Sequence, residues 1–320
     1  MQEIRDVVSN ELNAVNGLII EQLKSDVEMV ENVGQYIVDA GGKRLRPLVA
    51  LLAASALGSV QQSQIKFAAV VEFIHTATLL HDDVVDVSEL RRGRPTANST
   101  FGNAPSVLVG DFLYTRAFQL MVSLSNEALL KMMADTTNTI AAGEVLQLIR
   151  AGDTATTEAQ YFEVIDRKTA ALFAAGCEGA GLLVDASNDT LAALRDYGAN
   201  IGTSFQLVDD LLDYEGDPEK TGKNVGDDLA EGKTTLPLIH AMREGTESQA
   251  ELVRSALENK DRSKLAEVVA AVKDAGSLDY TRAAAQECNR TALNALNTLP
   301  DSSARSALER LANFALSRQF

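Results

Sequence analysis

Two acidic clusters hold the residues with the clearest chemical potential, His81-Asp82-Asp83-Val84-Val85-Asp86 and Asp209-Asp210-Leu211-Leu212-Asp213. Both carry the spacing D-D-x-x-D. On a helix the outer two acids lie one turn apart on one face, with the middle one about 100° round. Like charges at that spacing repel one another. Each cluster follows an apolar run, Phe73-Ile74 to Leu79-Leu80 and Ile201 to Val208. The acids therefore end buried helices and stay ionised only if cations neutralise them. Hard oxygens that leave room for water and phosphate oxygens suit Mg²⁺. One acidic turn alone is more often a solvated face, but the repeat suggests two clusters facing across a pocket. Such a pair would cage several divalent ions and one polyanion.

Basic residues recur at four other places. Lys43-Arg44-Leu45-Arg46-Pro47 follows Gly41-Gly42, a helix stop, and opens a helix initiated by Pro47. Cations packed beside helix ends bind anions or compensate a C-terminal dipole. Arg91-Arg92-Gly93-Arg94 returns three arginines to the first acidic end. There they pair with Asp86 and Glu89, or grip phosphate oxygens by their fork geometry. Lys168-Thr169 lies within a helix, and Lys223 and Lys233 lie in a Gly- and charge-rich loop from Glu215 to Thr235. A long loop beside a site is commonly a lid. His75, two turns before Asp82, shares a stripe with Asp82 and Asp86. It is a core histidine or a substrate contact. Gln206 stands one turn before Asp209.

The elements that must position these groups are helices. Proline (6), glycine (21) and aromatics (5%) are scarce, which favours one all-α domain over residues 1–320, with no linker. The periodicity predicts two helices over 3–38, then helices at 47–60 and 63–87 and a loop at 91–105. Helices at 105–124, 126–151, 158–182 and 188–214 follow, and three or four fill 236–320. The net charge of −16 argues against nucleic acid and acidic membrane surfaces. No apolar run is long enough to span a bilayer, and Met1 to Asp6 lacks the marks of a signal peptide. Two cysteines, Cys177 and Cys288, are too few for a disulfide framework. A soluble, cytoplasmic protein is expected.

Taken together these segments resemble the trans-isoprenyl diphosphate synthases from end to end. The resemblance rests on Gly41-Gly42-Lys43-Arg44-Leu45-Arg46-Pro47, both D-D-x-x-D motifs, Arg91-Arg92-Gly93, Lys168-Thr169, Gln206-Leu207-Val208, Gly222-Lys223 and Gly232-Lys233. It implies a helical bundle around a deep cavity, a homodimer, and three Mg²⁺ ions held by Asp82, Asp86 and Asp209. Asp83, Asp210 and Asp213 would act from a second layer. Arg91, Lys168 and Lys223, with Lys233 nearby, would hold an allylic diphosphate such as farnesyl diphosphate. Lys43, Arg46, His75 and Arg92 would hold isopentenyl diphosphate, with Thr169 and Gln206 also in the substrate site. The implied reaction is long-chain prenyl elongation, giving about C40 product for a quinone side chain. The small Ala77 and Thr78, one turn above Asp82, would leave the product channel open. Met121 and Met133, with Phe118 near, would form its floor, or are adaptable core packing.

Overall fold

The computed structural model describes residues 1–91, 93–215 and 225–317. Residues 67–74, Phe-Ala-Ala-Val-Val-Glu-Phe-Ile, are buried all round, which makes helix α5 (Gln62–Val85) an interior element rather than an amphipathic one. Before it come α1 (Gln2–Asp6), α2 (Ser9–Gln22), α3 (Glu28–Asp39) and α4 (Leu45–Ala56). After it come strands β1 (Leu90–Arg91) and β2 (Arg94–Pro95), then α6 (Ala97–Phe101) and α7 (Asn103–Val122). Helix α8 (Glu127–Arg150) and helix α9 (Glu158–Ile165) precede a π-helical turn, Asp166–Ala170, and α10 (Ala171–Leu182). Helix α11 spans Asn188–Glu215. Then come α12 (Asp227–Glu231), α13 (Leu236–Glu244), α14 (Glu247–Glu258), α15 (Leu265–Asp274), α16 (Ser277–Ala295) and α17 (Ser303–Ser317).

The chain divides into two compact units. The first comprises Met1–Thr137, Leu172–Gly198 and Leu293–Leu311. In it α5 packs on α7, α4 and α2, and the buried Tyr197 donates to the carbonyl of Leu308 at 2.8 Å. The second comprises Asn138–Ala171, Ala199–Ala292 and Ala312–Phe320. One of its apolar clusters joins Leu211, Tyr214, Leu229, Leu238, Val253 and Val268. Another joins Tyr161, Ile165, Leu207, Val208, Leu236 and Ile239. Among the described residues no helix is long and apolar enough to cross a membrane.

Several predicted boundaries move. The N-terminal pair of helices is three, because the breaks preserve the apolar period: Ile4, Val8, Leu12, Val15 and Ile19 are all buried. Helix α4 starts at Leu45, so Pro47 falls in its first turn, where a missing N–H costs nothing. It stops at Ala56 rather than residue 60. The predicted loop 91–105 contains the antiparallel β1–β2 pair and α6. Gly102, at φ 93, separates α6 from α7 in a backbone region open to glycine. The predicted helix 158–182 is interrupted by the π turn, and the 215–235 loop includes α12. Five helices rather than three or four fill 236–317. One added break is a capping box, Thr246 with Gln249.

Candidate active site

The first acidic motif ends α5. Asp83 is buried (4% exposed), and Arg91 grips it through Nε at 2.9 Å and Nη2 at 2.6 Å. The guanidinium thus pairs with the middle acid, not with Asp86 or Glu89 as the spacing suggested. The reason is that β1 brings Arg91 back alongside the buried side of the helix end. Asn98 donates to the Asp83 carbonyl at 3.1 Å. The helix closes with Ser88 N–H on the same carbonyl at 2.9 Å and Val87 at φ 53. A β-branched residue in that region is strained. Asp82 and Asp86, by contrast, are half-buried on the adjacent face. Arg92 lies outside the described residues.

The start of α4, the middle of α5 and the start of α10 build the basic corner of the same unit. Arg44, in a left-handed conformation (φ 48), donates to Glu72 Oε1 at 2.5 Å. Arg46 Nη1 meets His75 Nε2 at 3.1 Å, and its guanidinium lies 4.6 Å from the centre of the Phe173 ring. Burial lowers the Arg46 guanidinium to about 10, an effect that the Glu72 carboxylate opposes, so it stays cationic near neutrality. Its Nε and the Glu72 Oε2 are buried without hydrogen-bond partners among the described residues. Lys43 is exposed at the loop tip. Sequence reasoning missed Glu72. Its signal was a single acid within an otherwise apolar run, which a buried chain tolerates only beside a cation.

In the second unit, α11 presents the other motif. Asp210 is 2% exposed, accepting from Tyr161 Oη at 2.5 Å and from Gln206 Nε2 at 2.8 Å. Thr169 Oγ1 in turn donates to Gln206 Oε1 at 3.0 Å. The partner of Gln206 is therefore Asp210, four residues on, rather than Asp209. Asp213 accepts from the backbone amides of Asp227 and Asp228, at 3.2 and 3.1 Å, in the first turn of α12. Burial, reinforced by the Asp228 carboxylate, raises the affinity of both Asp210 and Asp213 for protons well above the ordinary carboxyl range. Asp209 remains half-buried.

Lys168 stands on the π turn and donates to Glu144 of α8 at 2.5 Å. The next residue back on α8 is Gly143. A Cβ there would lie 2.8 Å from Arg167 Cβ and 3.0 Å from the Lys168 nitrogen, so only glycine lets the two segments come this close. Lys233 forms an ion pair with Glu231. Lys223 lies outside the described residues. Glu144 and Tyr161 were also missed by the sequence reading, because their partners are 24 and 49 residues away.

The donors fit a hard divalent cation. Asp82, Asp86 and Asp209 are half-buried, whereas the middle acids Asp83 and Asp210 are buried. Among the described residues no three His, Cys, Asp or Glu side chains gather closely enough to hold an ion by themselves. Mg²⁺ is commonly bound through one or two carboxylates, with water and substrate phosphates completing its shell.

Of the channel candidates, Ala77, Met121 and Met133 are fully buried. Thr78 is half-buried and donates to the His75 carbonyl at 2.9 Å. Phe118 stands apart from Met121: with Tyr114 and Val122 it lines an open groove on α7.

Comparison with known proteins agrees with this geometry. The family model described as polyprenyl synthetase matches residues 27–275. Octaprenyl diphosphate synthase of Escherichia coli K12 is 50% identical over 99% of each chain. A polyprenyl synthase from Caulobacter crescentus CB15, solved with calcium and isoprenyl diphosphate, superposes with a TM-score of 0.96 at 43% identity, covering 100% of this chain and 98% of its own. A decaprenyl diphosphate synthase from Rhodobacter capsulatus gives a TM-score of 0.94 at 44% identity, covering 100% and 99%. Twin acid motifs with buried middle carboxylates, a basic corner and a lysine-bearing π turn thus occur on a helical framework shared over its whole length with these enzymes, and the chain belongs to the polyprenyl synthetase family of prenyltransferases.

Proposed function

We propose that this chain is an octaprenyl diphosphate synthase, adding isopentenyl units to an allylic diphosphate such as farnesyl diphosphate until a C40 chain results. What chiefly supports this reading is the shared division within both D-D-x-x-D motifs. In each, the middle acid is buried and bonded to a side chain elsewhere in the chain, Asp83 to Arg91 and Asp210 to Tyr161, while Asp82, Asp86 and Asp209 are half-buried. The 50% identity to an octaprenyl synthase over nearly all of both chains favours C40 over the longer product in the name of the 44% identical structure.

Bound at Asp82, Asp86 and Asp209, divalent cations (Mg²⁺, three of them on the family pattern) would supply charge neutralisation for the departing diphosphate. Lys168 and Arg91, with Lys223 and Lys233, hold the allylic diphosphate. Lys43, Arg46, His75 and Arg92 hold isopentenyl diphosphate so that its terminal carbon meets the allylic carbon as the C–O bond breaks. Asp83, Asp210 and Asp213 orient Asp82, Asp86 and Asp209 from a second layer. No protein base is needed, since the released diphosphate can take the proton lost from the condensation product. Water must be kept out, or the allylic cation ends as an alcohol. The 215–235 segment is the candidate lid.

Residues 1–320 act in this reading as one catalytic domain. A homodimer accords with large apolar side chains exposed on α7, Leu108 and Val122, and on α8, Val145, Leu148 and Ile149. Two free thiols suit a cytoplasmic setting, and a respiratory quinone is the proposed destination of the chain.

The test is product analysis. Purified protein receives farnesyl diphosphate, labelled isopentenyl diphosphate and Mg²⁺, and the dephosphorylated lipids are separated by length. A dominant C40 band is expected. A dominant C15 or C20 band would refute the chain length, and no elongation would point to a non-catalytic subunit.

A further inference from the structure

One face of α11 is bonded at three levels to the segment Glu158–Ala170. Thr203 Oγ1 donates to Asp166 Oδ1 at 3.1 Å, Thr169 Oγ1 to Gln206 Oε1 at 3.0 Å, and Tyr161 Oη to Asp210 Oδ2 at 2.5 Å. Residues 203, 206 and 210 follow i, i+3, i+7 spacing, one stripe of a helix. Between them Tyr161 and Gln206 occupy both oxygens of Asp210. Tyr161 is 5% exposed and has no place in the reaction as derived so far. Its hydroxyl is nevertheless the innermost of the three bonds and ends on an acid motif.

We propose that Tyr161 is a positioning residue for the divalent-cation site, a role that rests on the prenyl-transfer reading. By holding Asp210 against α9, its hydroxyl keeps that carboxyl from turning toward a cation. It also sets the roll of α11. Asp209, about 100° round the helix from Asp210, is thereby turned away from α9 and left to ligate. The same chain of bonds reaches Thr169, the neighbour of Lys168. The acid that meets the cation and the lysine that meets the diphosphate are thus kept in one register. In the first motif Arg91 performs the matching task for Asp83 with a charged donor. In the second a neutral phenol does it. The phenol itself adds no positive charge beside Asp210.

The experiment is a calorimetric titration of Mg²⁺ into metal-free protein in the presence of inorganic diphosphate, comparing wild type with Tyr161→Phe. Substitution of a residue that orients a ligand weakens metal binding by about tenfold, and that loss is expected here. The Mg²⁺ concentration for half-maximal prenyl transfer should rise in parallel, with KM for isopentenyl diphosphate within about twofold of wild type. Thr169→Val, at the far end of the bonded chain, should weaken Mg²⁺ binding by a smaller factor. The double variant should lose less than the product of the two losses, because both act through one network. Unaltered Mg²⁺ affinity in folded Tyr161→Phe overturns the proposal. So does an equal worsening of metal and isopentenyl constants, the sign of general loosening. If Tyr161→Phe shows no cooperative melting, Thr169→Val decides by the same titration. Wild-type protein that binds no Mg²⁺ with diphosphate and transfers no prenyl group would instead refute the functional reading itself.

Discussion

Gly143→Ala isolates the approach of α8 to the π turn. The added Cβ would stand 2.8 Å from Arg167 Cβ, whereas ordinary contact begins at 3.4 Å. The segments must therefore part by about 0.6 Å (3.4 minus 2.8), and two of the three clashing atoms belong to the backbone at Arg167 and Lys168. Alanine gains about 1 kcal/mol of helix propensity over glycine, while overpacking costs about 1–3 kcal/mol. Stability should thus fall by no more than about 2 kcal/mol, or a few degrees in Tm. Activity responds differently, because about 1 Å of misplacement at a reacting group costs on the order of 100-fold. With Lys168 moved by about 0.6 Å, kcat/KM for the allylic diphosphate should fall on the order of 15-fold. The KM for isopentenyl diphosphate should hold. Steady-state kinetics with each substrate varied, beside thermal melts, measure both. Folded Gly143→Ala with kcat/KM within threefold of wild type would refute the idea that this close approach places Lys168.

Three further outcomes follow from particular contacts. Glu72→Gln leaves Arg44 without its partner in a pair whose side chains are only 12% and 8% exposed. It should cost about 3 kcal/mol in urea unfolding and raise KM for isopentenyl diphosphate but not for the allylic substrate. A matching rise in both constants would argue against a role confined to the basic corner. Met121→Ala and Met133→Ala should each cost about 2–5 kcal/mol and lengthen the product by a unit or more on lipid chromatography. Unchanged lengths would make both residues plain core. Finally, burial keeps protons on Asp210 and Asp213 that the unfolded chain, with carboxyls near 4, releases. The metal-free protein should then be most stable below about pH 4 as far as these two groups decide, losing that contribution as pH rises toward the raised values. Mg²⁺ binding should expel protons and strengthen with pH. Melting temperatures flat from pH 5 to 8, with no buffer dependence in the heat of Mg²⁺ binding, would contradict this.

What the sequence determined by itself follows from short-range rules. Apolar periodicity and the scarcity of proline and glycine specify helices, and α5, α7, α8 and α11 lie within about two residues of where the period places them. The D-D-x-x-D spacing places Asp82 with Asp86 and Asp209 with Asp213, because helix geometry depends only on residue separation. The motifs identify the family for the same reason. Tertiary structure alone decided which acids are buried against other side chains. Asp83 and Asp210 are chemically identical to their neighbours, and it is burial with Arg91 on β1 for one, and with Tyr161 on α9 and Gln206 for the other, that sets them apart. The π turn under Lys168 is likewise invisible to periodicity. It coincides with bonds from Asp166 and Thr169 to α11 and with the fit of Gly143, all made across dozens of residues. Local spacing carries no information about such distant partners, so the roles of Glu72, Glu144 and Tyr161 emerge only once the chain is folded.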